Sequence, residues 1–336
     1  MAVIGVGSIG GPIAAHLTES DIDVTVVTKH PDLATLIQSK GLKLQGVEES
    51  RHVPMKAVPL ITDLEGAFDI VFLAMKAFDV KAAAQAVLPY LSDDSVVVTL
   101  QNGIVEDEIA NIVGKHRVVG AVVFWGSEMV EPGVIQRNSD GLFVFGLLDE
   151  DGNQHRLSQV KSLLGSFLHV DIADNIYSTL YSKLTLIAWL NGLQALCGQP
   201  YGEMQASKRT RQLGMGIIAE AVTVADHLGI KFVKLGGLDL QSMALSASDS
   251  PEKQSKKHDM VKSIGQAWDN HKSSSLQSLE RGGYSEVEYF NGYIAKKGKE
   301  LGIETPINTE VVRVVKEIED GKRKILPDNL LELPDP

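Results

Sequence analysis

Along the first half of the chain, short β-branched runs alternate with stretches of helical period. Residues 2–7 (AVIGVG) read as a strand and 11–20 (GPIAAHLTES) as a helix. A second strand follows at 23–28 (DVTVVT), then a less regular stretch holding Pro54 and Pro59. Residues 68–75 (FDIVFLAM) form a strand, 80–91 (VKAAAQAVLPYL) a helix, and 95–103 (SVVVTLQNG) a strand ending in Asn102-Gly103. Strands that alternate with helices imply a parallel sheet with crossovers, and near-continuous apolar runs suit strands buried on both faces. Residues 117–148 change the rhythm: three β-rich runs are broken by Glu131-Pro132-Gly133 and Ser139-Asp140-Gly141. These turn signals predict antiparallel additions at the sheet's edge. A helix near 154–168 and a strand at 169–174 end this region.

After about residue 174 the period becomes helical throughout. Long amphipathic or apolar segments cover 176–197, 205–229, 255–270, 285–301 and 307–320, with a polar loop at 246–257. The pattern predicts an α/β class fold. A doubly wound sheet occupies 1–174, an all-helical domain 175–325, and a Pro-rich tail 326–336.

Composition narrows the function. The chain has 336 residues, is 44% hydrophobic and 22% charged, and carries a formal net charge of -11. That is ample apolar mass for two cores. Nucleic-acid binders show a basic face, and no Lys/Arg cluster of that size exists here. The single cysteine, Cys197, cannot build a disulfide framework, which fits a reducing cytoplasm and a small core residue. The most apolar run, LTLIAWLNGLQALC, is about 14 residues against the about 20 a membrane span needs. The expected protein is cytoplasmic, binds neither membrane nor nucleic acid, and takes a small-molecule partner. Its long C-terminal helices are compatible with a homodimer, although they serve a monomer's core equally well.

The glycines at the first strand–helix junction carry the most specific chemistry. GVGSIG matches G-x-G-x-x-G with a strand before it and a helix after it. Gly5 permits the tight turn, Gly7 lets backbone approach a pyrophosphate, and Gly10 lets the helix lie close to the strand. Ser8 and Ile9 complete the loop, and the helix N-terminus presents N–H groups to phosphate. This reads as a Rossmann-type dinucleotide site; the alternative is a glycine-rich turn that holds no ligand. An NAD site places an acidic residue at the end of the second strand; here the sequence reads Thr28-Lys29-His30. Lys29 suits the 2′-phosphate of NADPH/NADP+, or is a solvated charge at a strand end. Lys76 and Asn102 follow later strands at the same sheet edge, where ligands bind, although a loop lysine and an Asn-Gly turn are also ordinary surface features.

In the helical half, Lys183, Ile187 and Asn191 recur at i, i+4 and i+8 on one face of an apolar helix. A lysine there snorkels, pairs, or lines a cleft; a partly buried ammonium is a proton donor for carbonyl reduction. Ser285 reads as the N-cap of the 285–301 helix, with Glu286 in its first turn, where it either serves the site or complements the dipole.

The ordered set GVGSIG, LAMKAFDV, LQNGI, YSKLTLIAWLNGLQAL, SSSLQSLERGGYSEVEYFNG and GIETPINT resembles the ketopantoate reductase (2-dehydropantoate 2-reductase) family over about residues 1–320. The resemblance implies an NADPH-binding Rossmann domain, a helical C-terminal domain, an active site in the cleft between them, and reduction of 2-dehydropantoate to (R)-pantoate on the route to pantothenate and coenzyme A. It implies Lys183 as catalytic proton donor and Glu286 as the glutamate that holds the substrate hydroxyl beside the cofactor. It makes Ser274, Asn102 and Asn191 substrate-binding, with Asn102, Lys29 and Lys76 also on the cofactor; no metal is implied. Three positions depart from the family pattern: Ile187 replaces an asparagine, Ser278 an acidic residue, and Tyr201 another asparagine. They leave open another 2-oxo acid, or an imine formed from one, on the same scaffold, and a non-catalytic NADPH-binding sensor.

Overall fold

The computed structural model describes residues 1–47, 49–149 and 151–336. Contacts divide it into two compact units, 1–101 with 105–177 and 102–104 with 178–336. The boundary thus falls at 177/178, and three residues of the Asn102 loop group with the helical unit.

In the first unit, chain order is β1 (Ala2–Ile4), α1 (Gly10–Glu19), β2 (Thr25–Val27), α2 (Pro31–Lys40), β3 (Leu42–Gly46), β4 (Arg51–Val53), β5 (Lys56–Val58), β6 (Phe68–Leu73), α3 (Ala77–Val87), β7 (Leu91–Thr99), α4 (Glu106–Val113), β8 (Val118–Val123), β9 (Ser127–Glu131), β10 (Val134–Arg137), β11 (Leu142–Leu147), α5 (Gln154–Leu164) and β12 (His169–Ile172). An eight-stranded sheet runs β12-β11-β8-β7-β6-β1-β2-β5. Pairings are parallel except β8 with β11. Strand order reverses beside β1, the topological switch at which open α/β sheets bind ligands. Ile4 is level with Val27 and with Leu73, and Leu73 with Thr99, so the loops leaving β1, β2, β6 and β7 emerge at one edge.

The 117–148 region departs from expectation. Only β11 adds antiparallel to the main sheet; β8 joins it in parallel. The first run divides into β8 and β9, and β9 and β10 leave the main sheet for a second one ordered β4-β3-β10-β9. Its cohesion is hydrophobic: Leu42, Leu44, Val53 and Ile135 are buried in the same core cluster as Ile13, Ala14 and Leu17 of α1.

The second unit is helical: α6 (Ile176–Cys197), α7 (Tyr201–Ala206), α8 (Lys208–His227), α9 (Pro251–Ala267), α10 (Ser274–Glu280), α11 (Asn291–Leu301) and α12 (Pro306–Glu319). The first two residues of α6 group with the first unit. From Ser178 to Cys197 α6 is buried at every position except Lys183, which is half-buried. An α-helix apolar on all sides belongs at the centre of a helical core. The stretch 246–257, expected as a loop, becomes helical from Pro251 because the Ser250 side chain accepts the Lys253 N–H as an N-cap. Lys257 is buried there against Asp249 at 2.5 Å. The 285–301 helix begins only at Asn291; Ser285 donates to Glu319 at 2.7 Å, and a 3-10 turn, Val287–Tyr289, intervenes.

Residues 326–336, expected as a tail, are packed. The Leu326 N–H donates to the Leu196 carbonyl at 3.1 Å and Asn329 Nδ2 donates to the same oxygen at 2.9 Å. Leu330 and Leu333 are buried, and Arg209 pairs with Asp335. The α6 carboxyl end has carbonyls without intrahelical donors, and this segment supplies two.

No helix among the described residues is long and apolar enough to cross a membrane.

Candidate active site

In the first unit the expected cofactor residues converge. Gly5 takes φ +100, and a Cβ there would press on the Ala74 carbonyl group, 2.9 Å away. A Cβ on Gly10 would collide with the Gly5 carbonyl and come to 2.7 Å from the Ala74 Cβ. The helix can approach its strand only without that atom. At Gly7 nothing lies within 4 Å of the Cβ position. The loop is therefore closed on its sheet side and open at Gly7. Gly7, Ser8 and Ile9 are half-buried and lead into the α1 N-terminus, whose first N–H groups lack intrahelical acceptors. This is the cradle a pyrophosphate requires, and the residues fit a dinucleotide.

Lys76 caps the start of α3 directly after Ala74 and Met75, so it stands beside the glycine loop, half-buried. Gln101 stitches this edge, donating through Nε2 to the Leu73 and Met75 carbonyls at 2.8 and 3.1 Å. Lys29 follows β2 with φ 68, a left-handed conformation uncommon outside glycine. Its ammonium is exposed and lies 3.1 Å from Asp79 of α3. An exposed pair of this kind contributes little, so the ammonium is readily shared with an anion.

Glu106 was not anticipated. It is fully buried at the α4 N-terminus. Thr99 Oγ1 donates to its Oε1 at 2.8 Å and the Val105 N–H donates to Oε2 at 2.9 Å. Burial nonetheless pushes its carboxyl up to about 7, against these hydrogen bonds, with Asp107 adding to the rise. The one sequence signal was an acidic residue opening a helix after Asn102-Gly103, which reads equally as dipole complement.

In the second unit, α6 collects the remaining candidates. Lys183, Ile187 and Asn191 share its face by spacing; Ile187 is 8% and Asn191 9% exposed. From α7, Tyr201 donates to Asn191 Oδ1 at 3.1 Å. The α10 start, which carries half-buried Ser274, is tied to α6 by Gln194. Gln194 Oε1 accepts the Ser273 N–H at 2.7 Å and Nε2 donates to the His271 carbonyl at 2.9 Å. The α11 start is tied by Asn291 Nδ2, which donates to the Ala188 carbonyl at 3.1 Å.

Glu286, 5% exposed, opens the 3-10 turn before α11, and the Tyr289 N–H donates to its carbonyl at 2.9 Å. Asn102 comes to the same turn. The Ile104 N–H donates to the Tyr289 carbonyl at 3.3 Å, and Gly103, at φ +92, touches Tyr289 so closely that a Cβ would overlap its carbonyl. The helical unit thus gathers Lys183, Asn191, Ser274, Glu286 and Asn102 on elements joined to α6 or to one turn. Among the described residues no cluster of His, Cys, Asp and Glu could hold a metal.

The model described as "Ketopantoate reductase PanE/ApbA" matches residues 1–150, and its C-terminal companion matches 175–319. The chain belongs to the ketopantoate reductase family. Among its relatives are the 2-dehydropantoate 2-reductases of Mesorhizobium japonicum, 27% identical, and Archaeoglobus fulgidus, 26% identical; each alignment covers 95% of this chain and 97% of the relative. A PanE/ApbA family ketopantoate reductase structure from Ralstonia eutropha is 25% identical with TM-score 0.80, covering 96% of this chain and all of that one. D-mandelate dehydrogenase with NADH and anilino(oxo)acetate shares the fold at TM-score 0.82 and 22% identity, covering 96% and 99%. A Staphylococcus aureus ketopantoate reductase described as dimeric does so at TM-score 0.74 and 20% identity, covering 96% and 99%. Family membership makes this protein an oxidoreductase of a 2-oxo acid that uses a nicotinamide cofactor.

Proposed function

We propose that the protein reduces 2-dehydropantoate to (R)-pantoate with NADPH. The observation that carries this reading is α6: a buried helix whose single half-buried position between Ser178 and Cys197 is an ammonium, Lys183, with an amide two turns along the same face. Bound NADPH supplies the hydride. Addition to the keto carbon makes its oxygen an alkoxide, and Lys183 gives that oxygen a proton. Glu286 accepts a hydrogen bond from the substrate hydroxyl. Ser274, Asn102 and Asn191 hold the carboxylate and the remaining polar end, fixing the ketone for attack. Gly5, Gly7, Ser8, Ile9 and Gly10 hold the pyrophosphate; Lys76, Asn102 and Glu286 stand on the cofactor side. The test is loss of NADPH absorbance with 2-dehydropantoate as sole oxidant. No oxidation with any 2-oxo acid would leave a cofactor-binding protein without this activity. The division into a cofactor domain at 1–174 and a substrate domain at 175–325 belongs to the same proposal, as do a cytoplasmic site of action and a homodimer.

NADPH is preferred over NADH because Lys29 offers a cation where a ribose-binding acid would otherwise stand. Charge-assisted hydrogen bonds contribute about 1.5–3 kcal/mol. Lys29→Ala is therefore expected to lower kcat/KM for NADPH by at least about ten-fold while leaving NADH within about two-fold. Equal losses with both cofactors would remove the 2′-phosphate assignment.

Ile187 favours a second reading, in which the same site turns over a less polar 2-oxo acid. A buried aliphatic side chain offers no partner to a hydroxyl, and a polar group left unpaired costs about 1–3 kcal/mol. Under that reading Ile187→Asn raises kcat/KM for 2-dehydropantoate by about ten-fold relative to 3-methyl-2-oxobutanoate. An unchanged ratio in steady-state assays retires it.

A further inference from the structure

One buried hydrogen bond on the helical unit has a direction, and the direction decides what Asn191 offers. Tyr201 is 2% exposed and has one proton, which goes to Asn191 Oδ1 at 3.1 Å. With the amide oxygen as acceptor, the two Nδ2 protons are left for another partner. The His271 ring lies against the Tyr201 ring, centroids 5.6 Å apart, and keeps the phenol in place.

We infer that Tyr201 is a positioning residue that locks the Asn191 side chain with its carbonyl occupied and its Nδ2 donors turned to the Lys183–Ile187 face. This inference rests on the reductase reading for its kinetics, not for its geometry. Helical side chains lean toward the N-terminus, which brings the Asn191 amide back over Ile187. Lys183 and Asn191 are separated by eight residues, about 12 Å of helix rise. With an ammonium at one end and amide N–H groups at the other, this face presents donors alone. It selects a small oxo acid that places an acceptor, its carboxylate or another oxygen lone pair, at Asn191. A group able only to donate is disfavoured there, because Tyr201 already takes one lone pair of Asn191 Oδ1.

Tyr201→Phe keeps the ring and removes the donor. Freed of its partner, the amide can turn over, and the KM for 2-dehydropantoate is expected to rise about five-fold, the equivalent of one neutral hydrogen bond. kcat and the dissociation constant for NADPH stay within about two-fold. Asn191→Asp, which exchanges the donors for a carboxylate, raises KM by more than about a hundred-fold. An unchanged KM in Tyr201→Phe overturns the inference, since a residue that only packs would behave in that way. A neutron diffraction map of the full chain supplies the second test and does not depend on turnover. Deuterium on the Asn191 atom facing Tyr201 overturns the inference whatever acid the enzyme reduces; oxygen there supports it. Absence of 2-dehydropantoate reduction in the unsubstituted protein would count against the proposed activity alone.

Discussion

Lys183→Ala is expected to lower kcat by about 10²–10⁴-fold, the range that removal of a positioned general acid produces. Cofactor affinity should stay within about two-fold, because the glycine loop, Lys29 and Lys76 belong to a different unit. The argument is one of supply. Hydride addition leaves charge on oxygen, and on the helix that carries Asn191 no other side chain between Ser178 and Cys197 is both charged and accessible. Stability should change little, since Lys183 is half-buried and its replacement opens no enclosed cavity. Stopped-flow turnover together with equilibrium titration of NADPH separates the two effects. Near-normal turnover in the variant would end the proton-donor assignment.

Glu106→Gln should make stability insensitive to pH across neutrality and raise it in alkaline buffer. In the fold its carboxyl is pushed from 4.5 up to about 7 by burial. The native chain therefore keeps a proton that the unfolded chain releases between about pH 4.5 and 7. Stability falls as pH rises through that window and levels off above it, by about 3 kcal/mol in total. The local hydrogen bonds can serve either form. Thr99 Oγ1 lies 2.8 Å from Glu106 Oε1 and 3.3 Å from the Val119 carbonyl, with one proton to place. When Glu106 is ionised, Thr99 donates to it. When Glu106 is protonated, Glu106 donates to Thr99 and Thr99 turns to Val119. Glutamine reproduces the second arrangement at every pH. Denaturant unfolding at pH 5 and pH 8 is the measurement: the unsubstituted protein should lose stability between them, and Glu106→Gln should not. Parallel curves would show that Glu106 does not titrate in this range.

What was legible in the sequence was what depends on neighbours along the chain. The glycine loop declares itself because Gly5 and Gly10 answer local backbone demands at a strand–helix junction. Lys183 stands out because an ammonium inside an apolar helix must be explained. The α/β-then-helical order follows from a change of hydrophobic period. The small sheet was not legible, because residues 43–46 pair with residues 134–137, and no local pattern announces so distant a partner. Ser285 misled for the same reason: the shape of an N-cap is local, but its hydroxyl is claimed by Glu319, 34 positions away. The final segment looked like a tail by its prolines, yet Asn329 and Leu330 find their partners in the helical unit. Tyr201 was visible only as a departure from the family pattern. Its use needed the distance to Asn191.

The grouping of residues 102–104 with the helical unit has a bearing on how such proteins can be recombined. A chimera joined at 177/178 looks clean on a linear map, but it would inherit Asn102, Gly103 and Ile104 from one parent and Tyr289 from the other. Because the fit at Gly103 leaves no room for a Cβ, a productive exchange of helical halves between homologues must transplant that tripeptide as well.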